Sequence, residues 1–278
     1  MKKFILLFLI LQIKLISYSQ EKNYKITYRH CVQYDTMQKL QDTIGLEAIL
    51  IGNSKESNYR FAKLPSNYKP ITGAKTFADV VNGKNKKNGT EQVVVSGFRY
   101  DTIGNMVYQN KLAQKILVRE KMANEYLLTQ EQTPVINWEI TGEKKMIKNY
   151  ECQQAITYFR GRYYIAWFTT DIPVIAAPWK FNGLPGLLMD IEDIKHQVKI
   201  YVESVEYPTK GIVSKFIAKG NSVTLDKYFE RREVERKKFE KSMLTLMENQ
   251  APNNARPDNI KFKVSSTSAL YNIEIREN

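Results

Sequence analysis

Acidic residues that could hold a divalent cation come together near position 190. Asp190 and Glu192 are two residues apart in an apolar stretch of strand character, so their side chains share one face, and Asp193 follows directly. Carboxylate oxygens are the ligands that calcium prefers, and a bound metal ion can activate water. The sequence therefore allows a metal-assisted hydrolase that uses Asp190, Glu192 and Asp193. The simpler interpretation is a solvated carboxylate pair on an exposed strand face.

Other catalytic chemistry has few residues to draw on. The chain has two histidines, His30 and His196. Cys31 follows His30 directly, and adjacent strand residues point to opposite faces, so the two cannot form a nucleophile and its base. His196 falls in a polar turn, where we expect it to be exposed. Because the known nucleotide, zinc-protease, serine-hydrolase and EF-hand motifs are also missing from the sequence, we predict no catalytic residue, no metal and no cofactor.

A pair of arginines lies at a predicted hairpin tip. Arg160 and Arg162 flank Gly161, next to Tyr158 and Tyr163. Paired guanidinium groups can bind an anion, which makes Arg160 and Arg162 candidates for ligand or partner binding. The alternative is a basic turn that keeps the tip of a sheet soluble.

The stretch from Asp171 to Glu192 is apolar where a surface loop would be polar. Pro173, Pro178 and Pro185 stiffen it. Its large side chains are either a binding lid or knob, presented to a ligand or partner, or a plug that fills the core. The candidate binding residues are Trp179, Phe181, Leu184, Pro185 and Leu187.

A tight turn is predicted inside this stretch, at Gly183-Leu184-Pro185-Gly186. Pro185 fixes its own φ near the value that the second position of a β-turn needs. Gly186 can then take the positive φ of a type II turn without steric cost. We therefore interpret Gly183, Pro185 and Gly186 as a structural reversal that leads directly into the strand beginning at Leu187.

Period-two alternation of apolar residues predicts strands along most of the chain, most clearly at 24–31. One segment, 225–247, has helical spacing of apolar residues, with Thr224 as its N-cap. The predicted fold is mainly β: a curved antiparallel sheet or incomplete β-barrel, with one long α-helix in the C-terminal half packed on its open face.

The N-terminus predicts export. Residues 1–19 combine Lys2 and Lys3, a short apolar run and a Ser-Tyr-Ser end, which is the layout of a cleavable signal peptide. No later run is long enough to cross a membrane, so residues 20–278 are predicted to form one domain, with 65–92 as a mobile surface insertion. The formal net charge of +13 suggests anionic neighbours. The basic residues are spread along the chain, which favours a solvated surface over nucleic-acid binding.

Two cysteines, Cys31 and Cys152, are present in the chain. In an exported protein a disulfide persists, and two cysteines allow a single intramolecular pairing. We predict a Cys31–Cys152 disulfide. Two buried free thiols are the alternative.

Several motifs together resemble the GLPGLI family, exported proteins of Bacteroidota. The resemblance is carried by Tyr158-Phe-Arg-Gly-Arg-Tyr-Tyr-Ile-Ala-Trp-Phe-Thr-Thr-Asp-Ile-Pro173 and Pro178-Trp-Lys-Phe-Asn-Gly-Leu-Pro-Gly-Leu-Leu188. It extends to Trp138-Glu-Ile, Tyr150-Glu-Cys152 and Asn272-Ile-Glu274, and it thins before residue 90. Small departures are Leu188 for Ile, Ala177 for Gly and Asn149 for Gly. The family has no settled activity, so the resemblance implies a compartment and a motif but no mechanism.

These observations together favour binding over catalysis. We expect an exported, non-enzymatic protein of the periplasm or cell surface. It would bind an apolar ligand or an envelope protein through a concave β-sheet and the stretch around Trp179. The alternative is the hydrolase that uses Asp190, Glu192 and Asp193.

Overall fold

The computed structural model describes residues 22–32, 46–61, 103–122 and 125–248. These residues form twelve β-strands and one α-helix. The elements are β1 (Asn23–Val32), β2 (Leu46–Gly52), β3 (Glu56–Phe61), β4 (Met106–Asn110), β5 (Lys115–Met122), β6 (Glu125–Gln132), β7 (Glu139–Ile147), β8 (Tyr150–Phe159), β9 (Arg162–Thr169), β10 (Leu187–Asp193), β11 (Val198–Thr209), β12 (Asn221–Ser222) and α1 (Leu225–Glu248).

All twelve strands belong to one sheet, in the order β12-β6-β5-β4-β3-β2-β1-β11-β10-β9-β8-β7. Neighbouring strands are antiparallel, apart from β12, which lies parallel to β6. The two halves of the sheet meet where β1 pairs with β11, and there His30 lies opposite Ile200. The described sheet is open, with β7 and β12 at its edges.

The sheet must be strongly curved, because β6 and β7 lie near its opposite ends and are joined by residues 133–138 alone. In a flat sheet ten strand spacings would separate them by about 48 Å. A connection of six residues spans at most about 25 Å. The two ends of the sheet are therefore drawn towards each other.

One face of the sheet, which we call the inner face, carries the core. Across the first half, Ile26, Leu50, Tyr59, Val107 and Val118 stand opposite one another on consecutive strands, and all are buried. The inner face continues across the second half through another row of buried residues: Ile200, which lies opposite His30, then Ile191, Ala166 and Ala155. Side chains of a strand alternate between faces, so the other set of residues forms the outer face.

Residues 210–220 cover part of the outer face. They follow β11 and cross the first half of the sheet towards β12. Asn58 Nδ2 donates to Ser214 O at 2.7 Å, and Arg119 Nε donates to Lys219 O at 2.8 Å. The rings of Tyr108 and Phe216 lie 6.4 Å apart between these two contacts.

Helix α1 packs against a corner of the sheet. Thr224 caps it, since its hydroxyl accepts the Lys227 N–H at 3.2 Å. Tyr228 and Phe229 form a small cluster with Met122 and Leu127, and Tyr228 OH donates to Glu120 at 2.8 Å. The described contacts with the sheet come from the first turns of the helix. The expected long helix lying across the open face is therefore not borne out.

The prediction of a mainly β fold is confirmed. The predicted signal peptide (1–19) and the insertion (65–92) lie outside the described residues. In the described part of the chain, no helix is both long and apolar enough to cross a membrane.

Candidate functional site

Residues 171–186, which we call the inner segment, fill the inner face between the end of β9 and the start of β10. Trp179 and Phe181 are each 1% exposed. An isolated parallel bridge between Ala176 and Leu187 fixes the segment to the first residue of β10. The inner segment is thus part of the core.

The aromatic side chains of the inner segment meet those of the sheet. The Phe181 ring lies 5.2 Å from Trp179, 5.1 Å from Tyr164 and 5.8 Å from Phe159, mostly edge to face. Such arrangements are favourable for aromatic pairs. Trp138 adds a hydrogen bond from its indole N–H to Asn182 O at 2.8 Å. These contacts connect the inner segment to β8, β9 and the 133–138 connection.

The structure places the predicted binding residues of this segment as follows. Trp179, Phe181, Leu184 and Leu187 are buried, whereas Pro185 is exposed. A ligand could reach the four buried side chains if the inner segment left the sheet. In the described arrangement they fill the space that a ligand on the inner face would need.

Trp179 has an unusual backbone. Its φ is +53°, a value that non-glycine residues seldom adopt. It lies in a tight turn closed by Phe181 N–H, which donates to Pro178 O at 3.1 Å. Gln109 Nε2 donates to Trp179 O at 2.8 Å, so the unusual conformation is held by a side chain from β4.

The predicted role of Gly186 was wrong in its physical reason. The glycine of this turn with positive φ is Gly183, at +91°. Gly186 is needed because a Cβ on it would lie 2.2 Å from Thr169 O. The close approach of two backbones, rather than a type II turn, therefore demands glycine at position 186.

A buried ionic cluster lies beside the aromatic residues. Lys180 is 2% exposed, and its Nζ lies 2.5 Å from Glu131 Oε1 on β6. Glu131 also pairs with Arg160 in the β8–β9 turn. Arg160 and Gly161 both have positive φ, as a two-residue hairpin turn requires. Glu131 therefore joins one end of the curved sheet to the hairpin near its other end.

Arg162 also has a carboxylate partner. Its Nη1 donates to Asp193 Oδ2 at 3.0 Å and to Gln197 Oε1 at 2.7 Å. The other oxygen of Asp193 accepts the backbone N–H groups of Gln197 and Val198. Both arginines of the predicted anion site thus hold elements of the chain together, a role that differs from both the anion site and the soluble basic turn predicted from the sequence.

The three carboxylates of the proposed metal site do not converge. Asp193 belongs to the inner face with Arg162, whereas Asp190 and Glu192 lie on the outer face beside Lys199. Burial raises the pKa of Asp190. Burial also opposes ionisation of Glu192, but hydrogen bonds from Lys199 and His196 outweigh it and lower its pKa. Within the described residues, no three acidic, histidine or cysteine side chains are grouped to hold a metal ion.

The predicted disulfide is absent from the structure. Cys31 and Cys152 are both free and buried. Three strands separate β1 from β8, which corresponds to about 19 Å across the sheet, whereas a disulfide needs Cα atoms about 4.4–6.8 Å apart. Burial raises the pKa of each thiol to about 11, so neither is a reactive thiolate at neutral pH.

The histidines are also separated. His30 is buried, and its Nδ1 lies 3.1 Å from Tyr59 OH. Burial lowers the pKa of His30 to about 3, which keeps it neutral. His196 has a 71% exposed side chain paired with Glu192, so its predicted exposure is confirmed.

An exposed apolar surface on the outer face was missed by sequence reasoning. Tyr158 and Tyr163 are 54% and 59% exposed, and their rings lie 4.8 Å apart. The adjacent cross-strand pair is Ile156 and Ile165. Ile194 is 53% exposed, and its N–H donates to Tyr163 O at 3.0 Å. We call these five residues the tyrosine surface.

A sequence signal for this surface exists. Near the β8–β9 turn, the residues between the buried positions are also large and apolar: Ile156 and Tyr158 on β8, and Tyr163 and Ile165 on β9. A strand with one solvated face normally alternates apolar and polar residues. Apolar side chains on both faces near this turn depart from that alternation.

A family model described as "Protein of unknown function (Porph_ging)" matches residues 160–190. This stretch runs from the β8–β9 turn through the inner segment into β10. The match does not extend to the outlying motifs of the resemblance, at 138–152 and 272–274. No curated protein matches the chain.

Two solved structures are similar to the chain, both of PNGF-II, in space groups C2 and P21. They are 16% and 15% identical, with TM-scores of 0.49 and 0.48. The similarity covers 76% of this chain and 32% and 33% of theirs, so the chain spans about a third of their length. At these scores the likeness carries no conclusion about function.

Proposed function

We propose that the chain is an exported, non-enzymatic protein that binds a partner protein of the cell envelope through the tyrosine surface. The observation that carries this proposal is the adjacent pair of Tyr158 and Tyr163, whose rings lie 4.8 Å apart at a tilt of 57° and which are each more than half exposed on the sheet face. Contiguous exposed apolar patches mark interaction sites. Tyrosine is enriched in such sites because it offers a large apolar ring with a polar end.

The outer face is covered by another part of the chain on its first half but not at the tyrosine surface, which supports this assignment. Residues 210–220 cover the first half through Ser214, Phe216 and Lys219. The tyrosine surface lies on the second half, away from those contacts. Beside it, Lys199 and His196 pair with Glu192, which gives the apolar patch a polar rim. An apolar centre with a polar rim is the usual anatomy of a protein interface.

Site-specific crosslinking tests the proposal. A photoreactive phenylalanine at position 163 should capture one envelope protein, whereas the same group at Val234, an exposed residue of α1, should not. The captured protein is then purified and titrated with the chain. Tyr158→Ala should weaken this binding by about thirtyfold, as for an interface hot spot. Equal capture from both positions, or unchanged affinity of the variant, would contradict the proposal.

A second candidate function, an apolar ligand on the inner face, is favoured by the backbone of Trp179. Its φ of +53° is a costly conformation, and such conformations cluster at segments that move for function. In this case the inner segment is a lid that withdraws to admit the ligand.

Native mass spectrometry and a thermal melt separate this lid from a plain core. A lid predicts an apolar ligand that co-purifies with the chain and is lost in Trp179→Ala, with little change in melting temperature. If the inner segment is only part of the core, the native mass should equal that of the chain without a ligand. Trp179→Ala should then lower the free energy of unfolding by about 3–5 kcal/mol, the cost of emptying a buried aromatic site.

A further inference from the structure

The lower end of the sheet, where β1 begins and β11 ends, carries a second group of exposed aliphatic side chains. Leu112 is 74% exposed, Val135 87%, Ile175 65% and Ile212 82%. They come from four separate segments: the β4–β5 turn, the connection to β7, the inner segment and the chain after β11. We call these four residues the aliphatic tips.

Backbone and side-chain contacts bring these segments together. Lys111, next to Leu112, donates from Nζ to Ile175 O at 3.2 Å and to Asn53 O at 2.8 Å. Asn53 in turn bonds Asn23, and Asn23 donates to Gly211 O at 2.8 Å, directly before Ile212.

Val135, the fourth of the aliphatic tips, also lies at the lower end of the sheet. Thr133 N–H donates to Gln114 O at 2.8 Å, which places the start of the connection containing Val135 beside the β4–β5 turn. All four aliphatic tips therefore belong to one end of the sheet.

Lysines surround the aliphatic tips. Residues 22–25, 53–56, 110–115, 132–136, 174–176 and 206–213 contain six lysines and two glutamates. Both glutamates are engaged within the protein: Glu56 accepts from Tyr108 OH, and Glu206 pairs with Lys25 at 3.5 Å. The lysines are Lys22, Lys25, Lys55, Lys111, Lys115 and Lys210.

We propose that the lower end docks onto the surface of a bilayer that contains anionic phospholipid. The aliphatic tips would enter the boundary between headgroups and acyl chains, while the ammonium groups of Lys22, Lys55, Lys115 and Lys210 contact lipid phosphates. Lys111, which donates to Tyr24, Asn53 and Ile175, and Lys25, which pairs with Glu206, hold this end of the sheet together. Burial of apolar side chains and electrostatic attraction to anionic lipids both strengthen peripheral membrane binding, and each lysine near an anionic surface adds to the affinity.

The composition of this end distinguishes a lipid partner from a protein partner. Its exposed apolar residues are all aliphatic and lie on separate turns. Those of the tyrosine surface include two tyrosines, lie side by side on and beside two paired strands, and are flanked by charges of both signs. Separate aliphatic tips can enter a fluid interface, which adapts to them. The excess of lysine over glutamate matches a negatively charged surface.

The test is co-sedimentation of the exported chain with lipid vesicles, after confirming that residues 1–19 have been removed. Vesicles of phosphatidylcholine mixed with phosphatidylglycerol should bind the chain, and binding should weaken as salt is raised. Lys55→Gln and Lys210→Gln should each lower the partition coefficient about fivefold. Leu112→Ser and Ile212→Ser should each lower it about tenfold.

Matched controls lie away from the lower end, where Val234→Ser on α1 removes an exposed aliphatic residue and Lys195→Gln in the β10–β11 turn removes a lysine. These variants should bind vesicles like the unaltered chain. As a gain-of-signal measurement, Leu112→Trp should bind at least as well and show a blue-shifted emission on anionic vesicles, which a misfolded variant would not show.

Three results would overturn the proposal. The first is no binding to anionic vesicles at any salt concentration. The second is an equal loss in the Val234→Ser and Lys195→Gln controls, which would indicate unspecific attraction by net charge. The third is self-association that Leu112→Ser abolishes, without vesicle binding, which would assign the aliphatic tips to a second copy of the chain.

Discussion

Lys180 Nζ lies 2.5 Å from Glu131 Oε1, in a place where the lysine side chain is 2% exposed. Arg160 shares the same carboxylate. One acidic residue on β6 thus balances two cations, one from the inner segment and one from the β8–β9 turn. The contact joins parts of the chain that the strand order places far apart, so it helps to hold the curved sheet in its shape.

Glu131→Gln should destabilise the fold more than Lys180→Met. The first change leaves two cations without their shared carboxylate, whereas the second leaves the Glu131–Arg160 pair intact. Loss of one partner from a buried ion pair costs about 3–5 kcal/mol, and we expect Glu131→Gln in this range. Urea unfolding followed by tryptophan fluorescence gives the free energy. As a control, Lys144→Met breaks an exposed pair with Glu151 and should leave the free energy of unfolding nearly unchanged. Equal effects of Glu131→Gln and Lys144→Met would show that the buried cluster has no structural role.

Gly186→Ala should be more damaging than Gly142→Ala. A Cβ at position 186 would lie 2.2 Å from Thr169 O, which is backbone and cannot rotate away. At position 142 no atom lies within 4 Å of the added Cβ. We expect a cost above about 2 kcal/mol for Gly186→Ala, through overpacking and a backbone shift, and little change for Gly142→Ala. Thermal melts of both variants check this, and similar melting temperatures would refute the role given to Gly186.

Both cysteines should resist alkylation in the folded protein and react after unfolding. The structure contains two buried thiols, whose pKa burial raises to about 11. The thiolate is the reactive form, so the reaction at neutral pH should be slow. Mass spectrometry after iodoacetamide treatment without reductant, with and without denaturant, measures the thiols. If neither cysteine reacts in denaturant, and the mass of the chain is two hydrogens below that calculated for free thiols, the cysteines form the disulfide after all.

Acid should destabilise the protein partly through His30. Burial lowers the pKa of His30 to about 3 in the folded state, against about 6.5 in the unfolded chain. Between these values the unfolded chain binds a proton that the folded protein excludes, so the free energy of unfolding falls as pH drops through this window. The full effect is on the order of 5 kcal/mol at pH 3.

His30→Met removes this titration, because it replaces the imidazole with an apolar side chain of similar size. The variant should lose less stability than the unaltered chain when pH is lowered from about 6.5 to 3. Urea unfolding at several pH values gives both curves. Parallel curves would mean that His30 titrates alike in both states.

Much of the strand architecture follows from local pattern. In β1, alternation at Tyr24, Ile26, Tyr28 and His30 predicts a strand with one buried face, and the structure buries all four. Thr224 was predicted as an N-cap because its hydroxyl can accept a backbone N–H of the first turn, and it does so. Such features depend on residues a few positions apart, which the sequence displays directly.

The candidate sites depend on long-range pairing, and there the sequence predicted less. Local pattern placed Asp190 and Glu192 on one face. It could not show that Lys199 stands beside them or that Asp193 belongs with Arg162 on the other face. The disulfide failed for the same reason, because β11, β10 and β9 separate its cysteines. Register and strand order arise from the packing of the whole sheet.

The sequence by itself determined that the chain is mainly β, where many of its strands run, and that the stretch around Trp179 is apolar and stiffened by proline. Tertiary structure decided that this stretch turns inward. The curved sheet has an inner face whose apolar side chains must be removed from water, and the inner segment is the part of the described chain that covers them. Trp179 and Phe181 are thus buried on the inner face, whereas Tyr158 and Tyr163 stay exposed on the outer face.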